Sequence, residues 1–120
     1  TLDEFEPNSV VYTGTHDNNT VAGWWNDEAS DDEKQRVRDY LGSEVEDDTI
    51  SRQFVELAMR SRADTAIVPM QDVLGLGARA RMNTPATTSG NWNWRLTDEQ
   101  VNLDIAGQLR NLTVSSSRAE

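Results

Sequence analysis

Short apolar runs alternate with longer amphipathic segments along this chain. Residues 10–13 (Val-Val-Tyr-Thr) are β-branched or aromatic, with apolar side chains at successive positions, which is typical of a strand buried on both faces. Residues 65–68 (Thr-Ala-Ile-Val) form a second such run, ended by Pro69, which cannot donate to a β ladder. The pattern predicts two buried strands of a parallel sheet.

Two helices are predicted between these strands. Ser30 and Glu33 have the spacing of a capping box, and Gly42 is placed to end the helix that follows. Thr49 is a candidate cap for the second helix. Four apolar residues then fall on one helical stripe: Ile50, Phe54, Leu57 and Ala58.

The region after the second strand is less regular. Residues 70–95 are rich in Gly, Asn and Thr and are predicted to be a long loop, which in a compact domain is usually functional. Thr97 and Gln100 have capping-box spacing and predict a last helix. Its apolar face comprises Val101, Ile105, Leu109 and Leu112. Residues 115–120 are predicted to be a frayed tail.

This order of elements, strand, two helices, strand, loop and helix, describes a βαβ unit with an extension. Two parallel strands do not make a stable sheet alone, because both faces and both edges need cover. A (β/α)₈ barrel has eight such strands in about 250 residues. We therefore expect this chain of 120 residues to be a fragment, incomplete on its own.

Composition excludes several classes of function. The net charge of -10 disfavours binding to nucleic acid or to an anionic membrane surface. The chain has no cysteine and a single histidine, His16, so thiolate and multi-histidine metal sites are not available. We predict no metal and no cofactor. Residues 1–7 are acidic and do not resemble a signal peptide. Because residue 1 is Thr, we expect the chain to begin inside a longer protein, so this absence says little about where that protein is located. The location that we predict is cytoplasmic.

Polar residues follow both predicted strands. His16 and Asp17 lie just past the first strand and Asn83 lies beyond the second, so all three are expected on one face of a parallel sheet. A carboxylate can accept two hydroxyl hydrogen bonds, and imidazole and amide groups can donate or accept. These three side chains are suited to binding sugar hydroxyls. Spacing alone also allows Asp17 to be a helix N-cap or an Asx-turn residue.

Four segments together resemble the amylomaltases and plant disproportionating enzymes, which form the 4-α-glucanotransferase family. Residues 12–20 (YTGTHDNNT) resemble the segment after the seventh barrel strand of that family, and residues 68–77 (VPMQDVLGLG) resemble its eighth strand and the following turn. Residues 80–85 (ARMNTP) and 89–95 (SGNWNWR) resemble the segments beyond. The resemblance extends over about residues 8–112, where the intervening helices match only in length and pattern.

The resemblance implies an α/β fold in which residues 1–114 are the C-terminal portion of a (β/α)₈ barrel, with about its last two strands. It implies transfer of α-1,4-glucan segments between maltodextrins by retaining double displacement. The aspartate at position 17 then binds two hydroxyls of the reacting glucose and stabilises the oxocarbenium-like transition state. His16 hydrogen-bonds the same ring, and Asn83 lies close to it. The family's nucleophile and acid/base come from earlier strands, so the rest of the barrel is expected upstream.

Other interpretations of these residues stay open. Asn83 either contacts sugar or satisfies loop backbone groups, and Asp72 is interpreted as the cap of a turn that begins at Val73. Arg79, Arg81 and Arg95 are predicted to be ion-pair partners rather than sugar ligands. The tryptophans are predicted mainly to pack or to anchor loops: Trp24, Trp25, Trp92 and Trp94. The alternative functions are a non-catalytic α-glucan-binding module and an α-glucan hydrolase.

Overall fold

Two short parallel strands form the sheet of this chain, whose computed structural model describes residues 8–42, 45–46 and 49–118. Strand β1 is Val10–Tyr12 and strand β2 is Thr65–Ile67. They pair in parallel, with Val10 opposite Thr65 and Tyr12 opposite Ile67. The parallel pairing of the two predicted strands is therefore confirmed, and it brings their carboxyl ends side by side.

Helical segments make up most of the remaining structure. Helix α1 (Val21–Gly23) continues into a π-helical turn (Trp24–Glu28), and helices α2 (Asp31–Leu41) and α3 (Ile50–Arg60) complete the crossover to β2. After β2 come the short helix α4 (Met70–Val73), two 3₁₀ turns (Ala78–Ala80 and Asp98–Gln100) and helix α5 (Leu103–Ser115). Helix α3 contacts α1, α4, α5 and β2, so it is the central packing element of the chain.

The predicted limits of α2 are confirmed by its capping contacts. The Ser30 hydroxyl accepts from the Glu33 amide at 3.1 Å, and the Glu33 carboxylate accepts from the Ser30 amide at 3.3 Å. Gly42 ends the helix with a positive φ of 66°, a conformation that glycine adopts without a steric cost. Helix α3 begins after Thr49 as predicted, but the Thr49 side chain does not cap it.

Two expectations for the second half of the chain are wrong. Residues 70–95 are not wholly irregular, because α4 follows Pro69 directly; a four-residue helix is too short to leave a periodic apolar signal. Thr97 and Gln100 do pair, with the Thr97 amide donating to the Gln100 side chain at 2.9 Å, but they enclose only a 3₁₀ turn. The last helix begins later, where the Asn102 side chain accepts from the Ile105 amide at 3.0 Å.

The end of the described chain is held more firmly than a frayed tail. Helix α5 reaches Ser115, and the Arg118 guanidinium donates to backbone carbonyls at the end of α3 and before β2. The shortest of these bonds reach Met59 at 2.7 Å and Ala63 at 2.9 Å. The expectation of fraying is thus corrected for residues 115–118, since one arginine can satisfy several carbonyls left free where a helix ends.

A small apolar core joins α1 to α3. Val21, Trp25 and Ile50 are its buried centre, and Trp24 and Phe54 pack against it half-buried. Trp25 is 1% exposed, which confirms that it is a packing residue. The core lies on the helical side of the sheet.

The opposite face of the sheet is uncovered in the described residues. Val10, Tyr12 and Ile67 are 45%, 52% and 46% exposed, whereas Val11 and Ala66 between them are half-buried. Burial on both faces, as the sequence predicts, is therefore not reached within this chain. A row of exposed apolar residues on one face of a sheet indicates a surface that packs against other parts of a protein.

None of the helices in the described part of the chain has the length and apolar character needed to cross a membrane.

Candidate active site

A tight turn directly after β1 presents His16 and Asp17. Asn18 closes the turn, because its side-chain oxygen accepts from the Thr15 amide at 2.8 Å and from the Thr15 hydroxyl at 3.1 Å. The Asn18 amide in turn donates to the Thr15 carbonyl at 3.1 Å. His16 and Asp17 occupy the two central positions, and their side chains are 56% and 50% exposed.

The Asp17 carboxylate is not used in local capping. Thr20, not Asp17, caps α1, accepting from the Gly23 amide at 3.0 Å, and Asn18 is the residue that closes the turn. Asp17 Oδ2 instead lies 3.3 Å from His16 Nε2. The interpretation of Asp17 as an N-cap or Asx-turn residue is therefore wrong, because its carboxylate contacts His16 and Asn83 instead.

Asn83 joins the same group from the segment after β2. Its Nδ2 donates to Asp17 Oδ1 at 2.6 Å, and its backbone amide donates to the His16 carbonyl at 3.1 Å. The structure thus brings together all three residues singled out from the sequence. A carboxylate, an imidazole and an amide that lie in contact near the surface can bind adjacent hydroxyl groups.

Arg81 holds the two segments against each other. Its Nη2 donates to the Asp17 carbonyl and its Nε to the Asn83 carbonyl, both at 2.9 Å. Its Nη1 lies 3.6 Å from the Glu28 carboxylate, which confirms the predicted ion-pair role for this arginine. The two carbonyl contacts could not be predicted from sequence, because they depend on how the loops meet.

Trp92 borders the cluster. Its ring centroid lies 5.1 Å from that of His16, its amide donates to the Met82 carbonyl, and it is 55% exposed. Its φ of 60° is unusual for a bulky residue and places the ring beside the site. Trp94 is half-buried. Of the pair, Trp92 therefore offers an exposed aromatic surface next to the candidate residues.

A cavity of about 430 Å³ opens beside this cluster. Tyr12 and Ile67 from the uncovered sheet face line it, together with Gln71 from α4 and with His16, Arg81 and Met82 from the loops. Asp17 and Asn83 are not among its lining residues, but both contact His16, which is. The cavity combines an apolar floor with convergent polar groups, which is the usual character of a small-molecule site.

Asp72 has a different role from the one predicted. It lies inside α4 rather than before a turn at Val73, and it is 2% exposed. Its carboxylate accepts from the Thr13 hydroxyl at 2.7 Å and from the Val21 amide at 2.9 Å. No sequence signal identifies these partners, which lie more than fifty positions away.

No group of three or more potential metal ligands occurs within the described residues.

Comparison with known proteins gives a consistent result. Residues 1–102 match the family model described as 4-alpha-glucanotransferase. The chain is 51% identical over 116 residues to "4-alpha-glucanotransferase, chloroplastic/amyloplastic" of Solanum tuberosum, with 94% of this chain and 20% of that protein covered. It is 48% identical over 106 residues to the 4-alpha-glucanotransferase of Synechocystis, covering 88% of this chain and 21% of that protein.

A solved structure is similar as well. It is the amylomaltase of Streptococcus agalactiae in complex with acarbose, with a TM-score of 0.88 at 28% identity, covering 97% of this chain and 23% of that one. The chain thus spans about a fifth of the length of these relatives. With the family model matched over most of its length, this chain belongs to the 4-alpha-glucanotransferase family, as the four sequence motifs predict.

Proposed function

We propose that this chain is the C-terminal part of a (β/α)₈-barrel 4-α-glucanotransferase, which transfers α-1,4-glucan segments between maltodextrins. The observation that supports it best is the contact of Asp17 with His16 and Asn83 at the carboxyl ends of two adjacent parallel strands. Active sites of (β/α)₈ barrels lie at that end of the strands. The similar amylomaltase binds acarbose, which supports an α-glucan as the ligand.

The uncovered sheet supports the barrel. Val10, Tyr12 and Ile67 expose a continuous apolar face, and side chains of the remaining strands would fill the space next to it in a closed barrel. In this proposal β1 and β2 are the last two strands of the barrel, and its other strands lie upstream. The cavity beside His16 becomes part of the barrel mouth.

The proposed reaction is a retaining double displacement. A nucleophile and an acid/base about 5–5.5 Å apart form and then break a covalent glycosyl-enzyme, and both groups are expected from upstream strands. Asp17 accepts two hydroxyls of the reacting glucose and holds them more tightly as the ring flattens toward the oxocarbenium ion. His16 and Asn83 hydrogen-bond the same ring from either side of Asp17.

Incubation of the full-length protein with maltotriose tests this proposal. A transferase should produce, for every shortened sugar, one sugar longer than maltotriose, because each glycosyl unit passes to another sugar. A hydrolase on the same scaffold would give only glucose and maltose, and a binding module would leave the maltotriose unchanged. Either of the last two results would contradict the proposal.

Two substitutions of Asn83 are expected to lower kcat to different extents. Asn83→Ala removes the 2.6 Å hydrogen bond to Asp17 and should lower kcat by about 10-fold or more, since one preorganised polar contact is lost. Asn83→Asp should cost more, because it sets a second negative charge against Asp17. The melting temperature should hardly change with Asn83→Ala, since the Asp17 partner is exposed.

A matched control for this change is Asn102→Ala. Asn102 caps α5, outside the site, so its loss should reduce stability by about 1 kcal/mol with the specific activity unchanged. If Asn83→Ala behaved like this control, with lower stability and normal specific activity, Asn83 would be a structural residue only.

A further inference from the structure

One buried carboxylate holds both ends of the loop that carries Asp17. Asp72 Oδ2 accepts from the Thr13 hydroxyl, just before the loop, and Asp72 Oδ1 accepts from the Val21 amide, just after it. We propose that Asp72 is a positioning residue for glucan transfer, because it fixes both ends of this loop and thereby keeps Asp17 in contact with Asn83. The inference rests on the proposed function above.

The burial of Asp72 makes these two contacts obligatory. The residue is 2% exposed, and within the described residues no salt bridge reaches it. A buried carboxylate is costly unless hydrogen bonds compensate for its lost hydration. Hydrogen bonds to an ionised acceptor are stronger than neutral ones. If either end of the loop moved away, the carboxylate would lose a partner that water cannot readily replace.

The position of Asp72 links the two halves of the site. It lies on α4, directly after β2, whereas its partners lie on either side of the turn after β1. The tip of that turn is held separately by Arg81 and Asn83, both from the segment that follows α4. The loop is therefore fixed at its base by Asp72 and at its tip by Arg81, and in both places the support comes from the chain beyond β2.

Preorganisation explains why this support affects turnover. A contact that acts mainly in the transition state needs its group held close to the productive geometry, and a displacement of about 1 Å can reduce the rate by about 10²-fold. Loosening the base of the loop should therefore lower kcat far more than it raises KM, because ground-state sugar binding depends on many other contacts.

The test compares Asp72→Asn with Asp72→Ala in the full-length protein acting on maltotriose. Asparagine can accept from the Val21 amide and donate to the Thr13 hydroxyl, which rotates to accept, so Asp72→Asn should keep kcat within about 10-fold of the wild type. Asp72→Ala should lower kcat by about 10²-fold with a smaller change in KM. Wild-type kcat in Asp72→Ala would overturn the inference.

Coupling to Asp17 separates positioning from general stability. Asp72→Ala is also made in the Asp17→Asn background, where the loss in kcat should be much smaller than in the wild type, because residues that act as one unit are not additive. Ser61→Ala, which removes a buried hydroxyl bonded to the Ala58 carbonyl, is the matched control. Its effect should be equal in both backgrounds. If Asp72→Ala lowered kcat by the same factor in the wild type and in the Asp17→Asn background, Asp72 would have a structural role only.

A structural readout distinguishes failure of this inference from failure of the proposed function. In a crystal structure of the Asp72→Ala protein, the contact between Asp17 Oδ1 and Asn83 Nδ2 should be lost; an unchanged 2.6 Å contact would overturn the inference whatever the enzyme does. If Asp72→Ala does not fold, Thr13→Val is used instead, because it removes one of the two hydrogen bonds to Asp72 at nearly constant volume. The same contact between Asp17 and Asn83 is then measured, and an unchanged contact would overturn the inference. Absence of any sugar product from the wild type would instead contradict the proposed function.

Discussion

Asp17→Asn in the full-length protein is expected to lower kcat on maltotriose by about 10²–10³-fold. The substitution keeps the size of the side chain and one acceptor oxygen but removes the charge. In the structure the Asp17 side chain is half exposed and its carboxylate contacts Asn83 and His16, so its role in folding is small. In the proposed mechanism this contact strengthens as charge builds on the sugar ring, so the affinity for sugar in the ground state should change much less than the rate.

Three measurements check this prediction: kcat on maltotriose, sugar binding by calorimetry, and kcat with added azide. Azide should not restore the rate, because it replaces a missing nucleophile or bypasses a missing base and cannot replace a group that binds two hydroxyls. Asp104→Asn makes the same chemical change at an exposed carboxylate in the first turn of α5 and should leave kcat unchanged. Near-normal turnover in Asp17→Asn would remove Asp17 from the site, and a glucosyl azide product would show that Asp17 is the nucleophile or the acid/base rather than a group that binds hydroxyls.

Residues 1–120 expressed alone are expected to lack a cooperative thermal transition or to be poorly soluble. The sheet consists of two strands of three residues each, β1 and β2, and Val10, Tyr12 and Ile67 expose its apolar face. Isolated two-stranded sheets are marginal in water, and uncovered strand edges and apolar faces promote association.

The measurement is a melting curve by circular dichroism at micromolar concentration, with the full-length protein as the control. The full-length protein should unfold in a sharp transition under the same conditions. A sharp two-state melt of residues 1–120 alone would show that this segment is an independent domain and would contradict the barrel proposed here.

Local signals in the sequence predict the elements whose causes are local. The paired contacts of Ser30 with Glu33, and the positive φ of Gly42, depend on residues within one helix and its ends. The parallel strands follow from their apolar runs. The closeness of Asp17 and Asn83 was also predictable, because parallel strands place the loops after them at the same end of a sheet.

What could not be predicted depends on contacts between distant segments. The carboxylate of Asp72 can accept hydrogen bonds from Thr13 and Val21 only when β2 lies beside β1. Arg81 can donate to the Asp17 carbonyl only when the two loops are in contact. The start of α5 was misplaced for a different reason. Two polar residues, Thr97 and Asn102, both suit an N-cap, and the sequence alone does not show which of them continues into a long helix.

The most direct test of the central claim is a crystal structure of the full-length protein with bound acarbose, the ligand present in the similar amylomaltase. We expect the Asp17 carboxylate to accept hydrogen bonds from two hydroxyls of one ring, with His16 and Asn83 within hydrogen-bonding distance of that ring. A sugar bound at the barrel mouth without any contact to Asp17, or bound elsewhere on the protein, would contradict the account.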